Sequence, residues 1–320
     1  MAEDLSREPS FTSIAVHTLG SKSGQFVALV YAMLNYSLLV SCISGLGSLA
    51  KQCMGPSSLY TLISPCLVAI LIWFRSFDLI HGVNQILCLI MMISIGALVA
   101  MGAWCSYCSS SFLVFTTLPL QWSSVQALVP AIPLTVLTLG FHVITPVVCK
   151  VIGDPEEARR VILLAGMVPL AMVLSWNWVV LGLAKGSGSG SVVTDPIELL
   201  LSVSTFAGPA VRAFAFGALG TTLIGYALSF PKQLSDTVAS LLPSSPSPSP
   251  SPLPSWLEKG MVGIVLLPPT VMAILHPGAF ARALDFAGIY ANCFLFGFLP
   301  PVMAWNYRRS RRESAKYRCI

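Results

Sequence analysis

The stretch that decides the reading is residues 125–152, VQALVPAIPLTVLTLGFHVITPVVCKVI. It is long and apolar enough to cross a bilayer, yet Pro130, Pro133, Gly140 and Pro146 interrupt it. The first two prolines remove backbone donors from its first half. Gly140 offers a place for the helix to unwind, and Pro146 falls where the first turn of a new half-helix would begin. The expected picture is a span broken near Thr138, Leu139, Gly140, Phe141 and His142. Unwound backbone at membrane depth is stable only inside protein or along a cavity, because lipid cannot hydrogen-bond it. Such breaks mark the substrate sites of many carriers. A proline-kinked but continuous helix accounts for the same residues.

The surroundings agree with a membrane setting. The chain has 320 residues, 55% hydrophobic and 10% charged, against about a quarter charged in ordinary soluble domains. Between Asp78 and Lys150 there is no Asp, Glu, Lys or Arg. These features exclude a soluble globule and predict an all-α polytopic membrane protein. The tail carries Arg308, Arg309, Arg311, Arg312, Lys316 and Arg318 against Glu313, which accounts for the whole net charge of +5. A basic cluster just past a span reads as a topology anchor facing lipid headgroups, not as a nucleic-acid site. The 9 cysteines are scattered, mostly in apolar runs, and read as reduced thiols. Cys105 and Cys108 form a C-x-x-C without the strand pattern of a redox fold.

Working outward, residues 1–23 make a polar N-terminal arm and residues 24–306 a transmembrane domain. Eight spans are expected, at about 24–50, 57–74, 83–104, 125–152 (broken), 161–184, 207–230, 256–275 and 283–306. Residues 307–320 form a basic C-terminal tail. GDPEEARR, residues 153–160, reads as a loop, and PSSPSPSPSPLPS, residues 243–255, as an extended linker. Eight spans put both termini on one side. That side would hold fourteen of the 18 basic residues, which predicts that both termini lie inside.

Ionisable groups at membrane depth are functional candidates, and His142 is the one near a midplane. It could couple protons or simply bond nearby carbonyls. In the first span Ser37, Ser41, Ser44, Gly45 and Ser48 share a helical face. In the sixth, Gly217, Gly220, Thr221, Thr222 and Gly225 offer a similar set. Small residues at these spacings let helices approach closely, or wall a polar pathway. No metal-ligand cluster, P-loop or dinucleotide motif occurs, so neither an enzyme nor a cofactor is expected.

Five runs carry a family resemblance. PAIPLTVLTLGFHVITPVVCK (130–150) resembles the sixth helix of tryptophan/tyrosine permeases, particularly plant and plastid-type members. GDPEEARRVILLAGMVPLAMVLSWNWVVLGL (153–183) resembles the loop and seventh helix that come next in that family. FVALVYAMLNYSLLVSCISGLGSLAKQ (26–52) is similar to the third, FAFGALGTTLIGYALSF (214–230) to the eighth, and ALDFAGIYANCFLFGFLPPVMAW (283–305) to the tenth.

The resemblance implies the amino acid–polyamine–organocation superfamily and its inverted-repeat (5+5) transporter fold. It also implies proton-coupled symport of tyrosine or tryptophan by alternating access. The substrate would meet backbone at Thr138, Leu139, Gly140, Phe141 and His142, with Phe141 against its ring. Tyr36, Ser41, Thr221 and Thr222 would line the cavity. Plant relatives imply a plastid (chloroplast) envelope location. On this resemblance the first two helices and the last of the family are not encoded in these residues. The alternative is a shortened non-transporting paralogue, or an incomplete gene model, acting at most as a membrane interaction protein.

Overall fold

The computed structural model describes residues 11–55, 57–74, 77–108, 145–186, 207–241, 255–276 and 278–318. Every regular element among them is helical. In chain order these are α1 (Phe11–Leu19), α2 (Ser21–Met54), a 3-10 turn (Ser58–Leu62), α3 (Ile63–Phe74) and α4 (Phe77–Cys108). Then come α5 (Thr145–Ile152), α6 (Pro155–Gly186), α7 (Ala207–Leu241) and α8 (Ser255–Leu275). Last, α9 (Ala279–Phe286) leads through a widened helix, Ala287–Phe298, into α10 (Leu299–Arg318).

Among the described residues, five stretches are long and apolar enough to cross a bilayer: Ser21–Met54, Asp78–Trp104, Pro155–Trp178, Ala207–Pro231 and Arg282–Ser310. Leu59–Phe74 and Gly260–Leu275 are shorter apolar helices. Large apolar side chains stand exposed along these helices, among them Ile93, Leu164, Met167, Ile264 and Leu267. In water such a surface would drive aggregation; against lipid tails it costs nothing, and helix contacts are made by packing instead.

The described residues divide between two compact units. In the first, α1, the start of α2, the widened helix and α10 share one core. Ile14 and Ala15 pack with Val27, Leu34 and Leu38, and with Ala291, Leu295, Phe296, Leu299 and Met303. The polar arm therefore contains a nine-residue helix with a buried face. Gly20, at φ 86°, turns the chain between α1 and α2, a conformation glycine adopts without penalty. Gly24 then lies so close to Val16 that no β-carbon fits between the helices.

The widened helix explains how α9 and α10 are joined. Over Ala287–Phe298 the winding has π geometry, and the N–H of Leu299 reaches back five residues to the carbonyl of Phe294. In an ordinary α-helix, steps of four residues drift about 40° around the axis each time. Here the turns are wider, and Ala287, Ala291, Leu295 and Leu299 all stay buried. Phe286, Tyr290, Phe294 and Phe298 recur at the same step. Phe286 and Tyr290 lie 5.6 Å apart between ring centroids, Phe294 and Phe298 6.3 Å. Phe294 also meets Phe26 of α2 edge-on at 5.7 Å.

In the second unit, Ile95 and Leu98 of α4 pack with Ala207 of α7, and with Met172 and Trp176 of α6. Here α7 comes very close to α4. A β-carbon on Gly217 would sit 2.7 Å from the carbonyl oxygen of Leu87 and 3.0 Å from the nitrogen of Met91. One on Gly220 would sit 3.1 Å from a methyl of Leu87. Gly47 approaches Thr61 of the 3-10 turn in the same way, since a β-carbon on it would sit 3.0 Å from the α-carbon of Thr61.

The GDPEEARR stretch is mostly helix rather than loop. Only Gly153 and Asp154 are non-helical, and α6 starts at Pro155. The reason is local. Asp154 accepts from the backbone N–H groups of Glu156 (3.3 Å) and Glu157 (3.2 Å), which is N-capping. Proline suits the first helical position, and the two glutamates suit the positive end of the dipole.

Candidate functional site

Of the expected site, Thr138, Leu139, Gly140, Phe141 and His142 lie outside the described residues. The chain is described again from Thr145, where α5 carries Pro146 in its first turn. That turn has no donor to lose, so the proline costs it nothing.

The remaining candidates fall in different units. Tyr36 and Ser41 belong to the first, Thr221 and Thr222 to the second. Ser41 is buried at 2% exposure, with Ser37 and Ser44 also buried, while Ser48 is exposed. Tyr36 is half-buried, as are both threonines. The Thr221 hydroxyl donates to the carbonyl of Ala218 at 3.0 Å, and that of Thr222 to the same carbonyl at 2.7 Å. Both therefore spend their donors within α7 and keep oxygen lone pairs for another partner. The glycines beside them divide. Gly217 and Gly220 are consumed by contact with α4, whereas among the described residues nothing lies within 4 Å of a β-carbon on Gly225.

A further polar set, Asn35 with Gln233 and Asn292, sits in the core of the first unit. Asn35 is 1% exposed; its Nδ2 donates to Oε1 of Gln233 on α7, and its Oδ1 has no hydrogen-bond partner among the described residues. Asn292, 2% exposed within the widened helix, has an Nδ2 with no hydrogen-bond partner among the described residues. Buried amide atoms without partners are expensive, so these two positions stand out even beside the buried Ser37, Ser41 and Ser44. The clue for Asn292 was a lone amide within the apolar run AGIYANCFLFGF. Gln233 gave no such clue, since it lies past Pro231, beyond the expected end of its span. Tyr31 and Tyr226 complete the surroundings, both packed against the core cluster.

Chemically, the described part offers amides, hydroxyls and aromatic faces. Such groups bind and orient a small polar molecule with an apolar body.

Residues 2–320 match the sequence model of the tryptophan/tyrosine permease family. Among curated relatives, the tyrosine-specific transport system 2 of Haemophilus influenzae is 29% identical over 201 residues, covering 60% of this chain and 46% of the relative. The tyrosine-specific transport system 1 of the same organism is 26% identical over 307 residues, 90% of this chain and 71% of the relative. A tryptophan-specific transport protein of Pseudomonas aeruginosa is 26% identical over 335 aligned positions, 95% of this chain and 72% of the relative. The chain thus spans less than half the length of the first of these. No solved structure matches.

Proposed function

Because this chain belongs to the tryptophan/tyrosine permease family, we propose that it carries an aromatic amino acid across a membrane. The observation that supports this most directly is the extent of the family match, residues 2–320, reinforced by relatives named for tyrosine and tryptophan transport. The lipid-compatible surfaces of the long apolar helices fit the same setting.

In this proposal the fold is the inverted-repeat arrangement of about eight spans, with both termini inside, in a membrane of plastid type. The substrate's carboxylate and amine meet the bare backbone at Thr138–His142, because half-helix N-termini favour an anion and free carbonyls favour a cation. Phe141 faces the substrate ring; Tyr36, Ser41, Thr221 and Thr222 line the path. His142 takes part in proton coupling, and access alternates between the two sides.

Reconstitution tests this. Labelled tyrosine or tryptophan should enter proteoliposomes saturably, and faster with an inward proton gradient. Phe141→Ala should raise KM, and His142→Gln should abolish the gradient dependence while sparing exchange. Absence of saturable uptake of either amino acid would sink the carrier reading and leave the alternative, a membrane protein acting through association.

A further inference from the structure

We propose that the corner where α1, α2 and α10 meet binds the phosphate headgroup of an anionic phospholipid. The corner is built, not merely charged. Asn306 on α10 donates from Nδ2 to the carbonyl of Thr18 at 3.1 Å, pinning the last turn of α1 to the point where the final span ends. That carbonyl is one of those a helix C-terminus leaves open. Gly20 turns the chain directly afterwards, and the tight fit of Gly24 on Val16 fixes the angle at which α2 leaves. Lys22, the second residue of α2, therefore holds a set position four residues beyond Thr18.

Four basic side chains of this corner are exposed: His17, Lys22, Arg308 and Arg309. They come from three elements rather than from one run of the tail. Neither α1 nor α2 contains an Asp or Glu, and in α10 the first acidic residue is Glu313. The sequence of α10 continues the positive charge through Arg311, Arg312, Lys316 and Arg318.

The depth is also marked. Trp305 is 75% exposed and precedes Arg308 and Arg309 by three and four residues, so it shares their side of α10. Tryptophan on an exposed face concentrates at the level of the headgroups. Phe26, 56% exposed, stands one turn beyond Lys22 on α2. An indole at the boundary with guanidinium groups just past it suits a lipid, whose acyl chains lie against the span while its phosphate meets the cations. Guanidinium binds phosphate oxygens in pairs, and lysine adds a point charge. A soluble anion would use the charges and leave the indole idle. The inference concerns lipid alone and does not depend on what the protein carries.

The test uses the full chain, purified in detergent and mixed with phosphatidylglycerol or phosphatidylcholine, with retained lipid counted by native mass spectrometry. Wild type should retain phosphatidylglycerol in preference. Each charge near the surface contributes about fivefold. Lys22→Gln should therefore lower retention about fivefold and Arg308→Gln with Arg309→Gln on the order of twentyfold, while Lys51→Gln at the far end of α2 changes nothing. Trp305→Ala should weaken phosphatidylglycerol without altering any weak binding of inorganic phosphate. Equal retention of the two lipids would overturn the proposal, and so would Lys22→Gln behaving as wild type, which would reduce the effect to a diffuse basic tail. Displacement of the lipid by matched concentrations of inorganic phosphate or polyglutamate would overturn it too.

Discussion

Replacing Gly217 by alanine should separate α7 from α4. The added methyl would stand 2.7 Å from the Leu87 carbonyl oxygen and 3.0 Å from the Met91 nitrogen. Ordinary contacts between heavy atoms are about 3.5–4.0 Å. Both neighbours are backbone atoms in the middle of a helix, so neither can turn aside as a side chain would. The helices must part by roughly 0.5–1 Å locally, and such overpacking costs about 1–3 kcal/mol.

Alanine also brings a helix-forming gain of about 0.5–1 kcal/mol over glycine. Gly225→Ala isolates that gain, because among the described residues nothing from outside its own turn lies within 4 Å of its new methyl. The difference between the two variants is then the clash alone. Gly220→Ala should fall between them, since its methyl meets only the mobile tip of Leu87 at 3.1 Å. In thermal unfolding of purified protein in detergent, on the order of 2 °C per kcal/mol for a chain of this size, Gly217→Ala should melt several degrees below Gly225→Ala. The refuting result is Gly217→Ala melting level with or above Gly225→Ala. That would mean the two helices are not held at this separation, and that the small residues of α7 serve something other than contact.

The polar core and the helix caps give further expected outcomes. Asn35→Ala deprives Gln233 of this donor and should cost about 1–3 kcal/mol by the same melting assay; an unchanged midpoint would break the link between α2 and α7. Asn292→Leu removes a buried donor that bonds nothing among the described residues, so its midpoint should hold or rise; a loss above about 2 kcal/mol would reveal a partner for that amide. Asp154→Ala removes two backbone acceptor contacts at the start of α6 and should cost about 1 kcal/mol, with faster hydrogen exchange at Glu156 and Glu157 as the direct readout.

Much of the helical layout was readable because apolar length is decisive in a bilayer. The runs at 24–50, 83–104, 161–184 and 207–230 each lie within one long helix, and 283–306 runs from α9 through the widened helix into α10. Contact glycines were readable in part: Gly217 and Gly220 obey the small-residue rule, while Gly225, alike in sequence, leaves open space where a β-carbon would stand. The difference is set by the partner helix, which local spacing does not contain. The short helix α1 was hidden because a nine-residue segment of modest apolar content takes its order from the core it docks on. The start of α6 could have been read from Asp154-Pro155 and the two glutamates after them, but charge suggested a loop. As for the site, residues 138–142 were singled out by their prolines and glycine and by resemblance, and they lie outside the described residues. The buried pair Asn35 and Gln233 is 198 residues apart in sequence, and no motif spans that distance.

The loosened coil at Ala287–Phe298 also bears on how the chain tolerates a change in length. A helix wound this way holds more residues per turn than its neighbours, so it stores slack. Deleting one residue from an ordinary helix swings everything downstream by about 100°. Deleting one here can instead be absorbed by tightening a single turn, leaving Leu299, Met303 and the arginines beyond them facing as before. Among the described helices, this is the stretch where evolution could trim a residue without re-aiming the final helix.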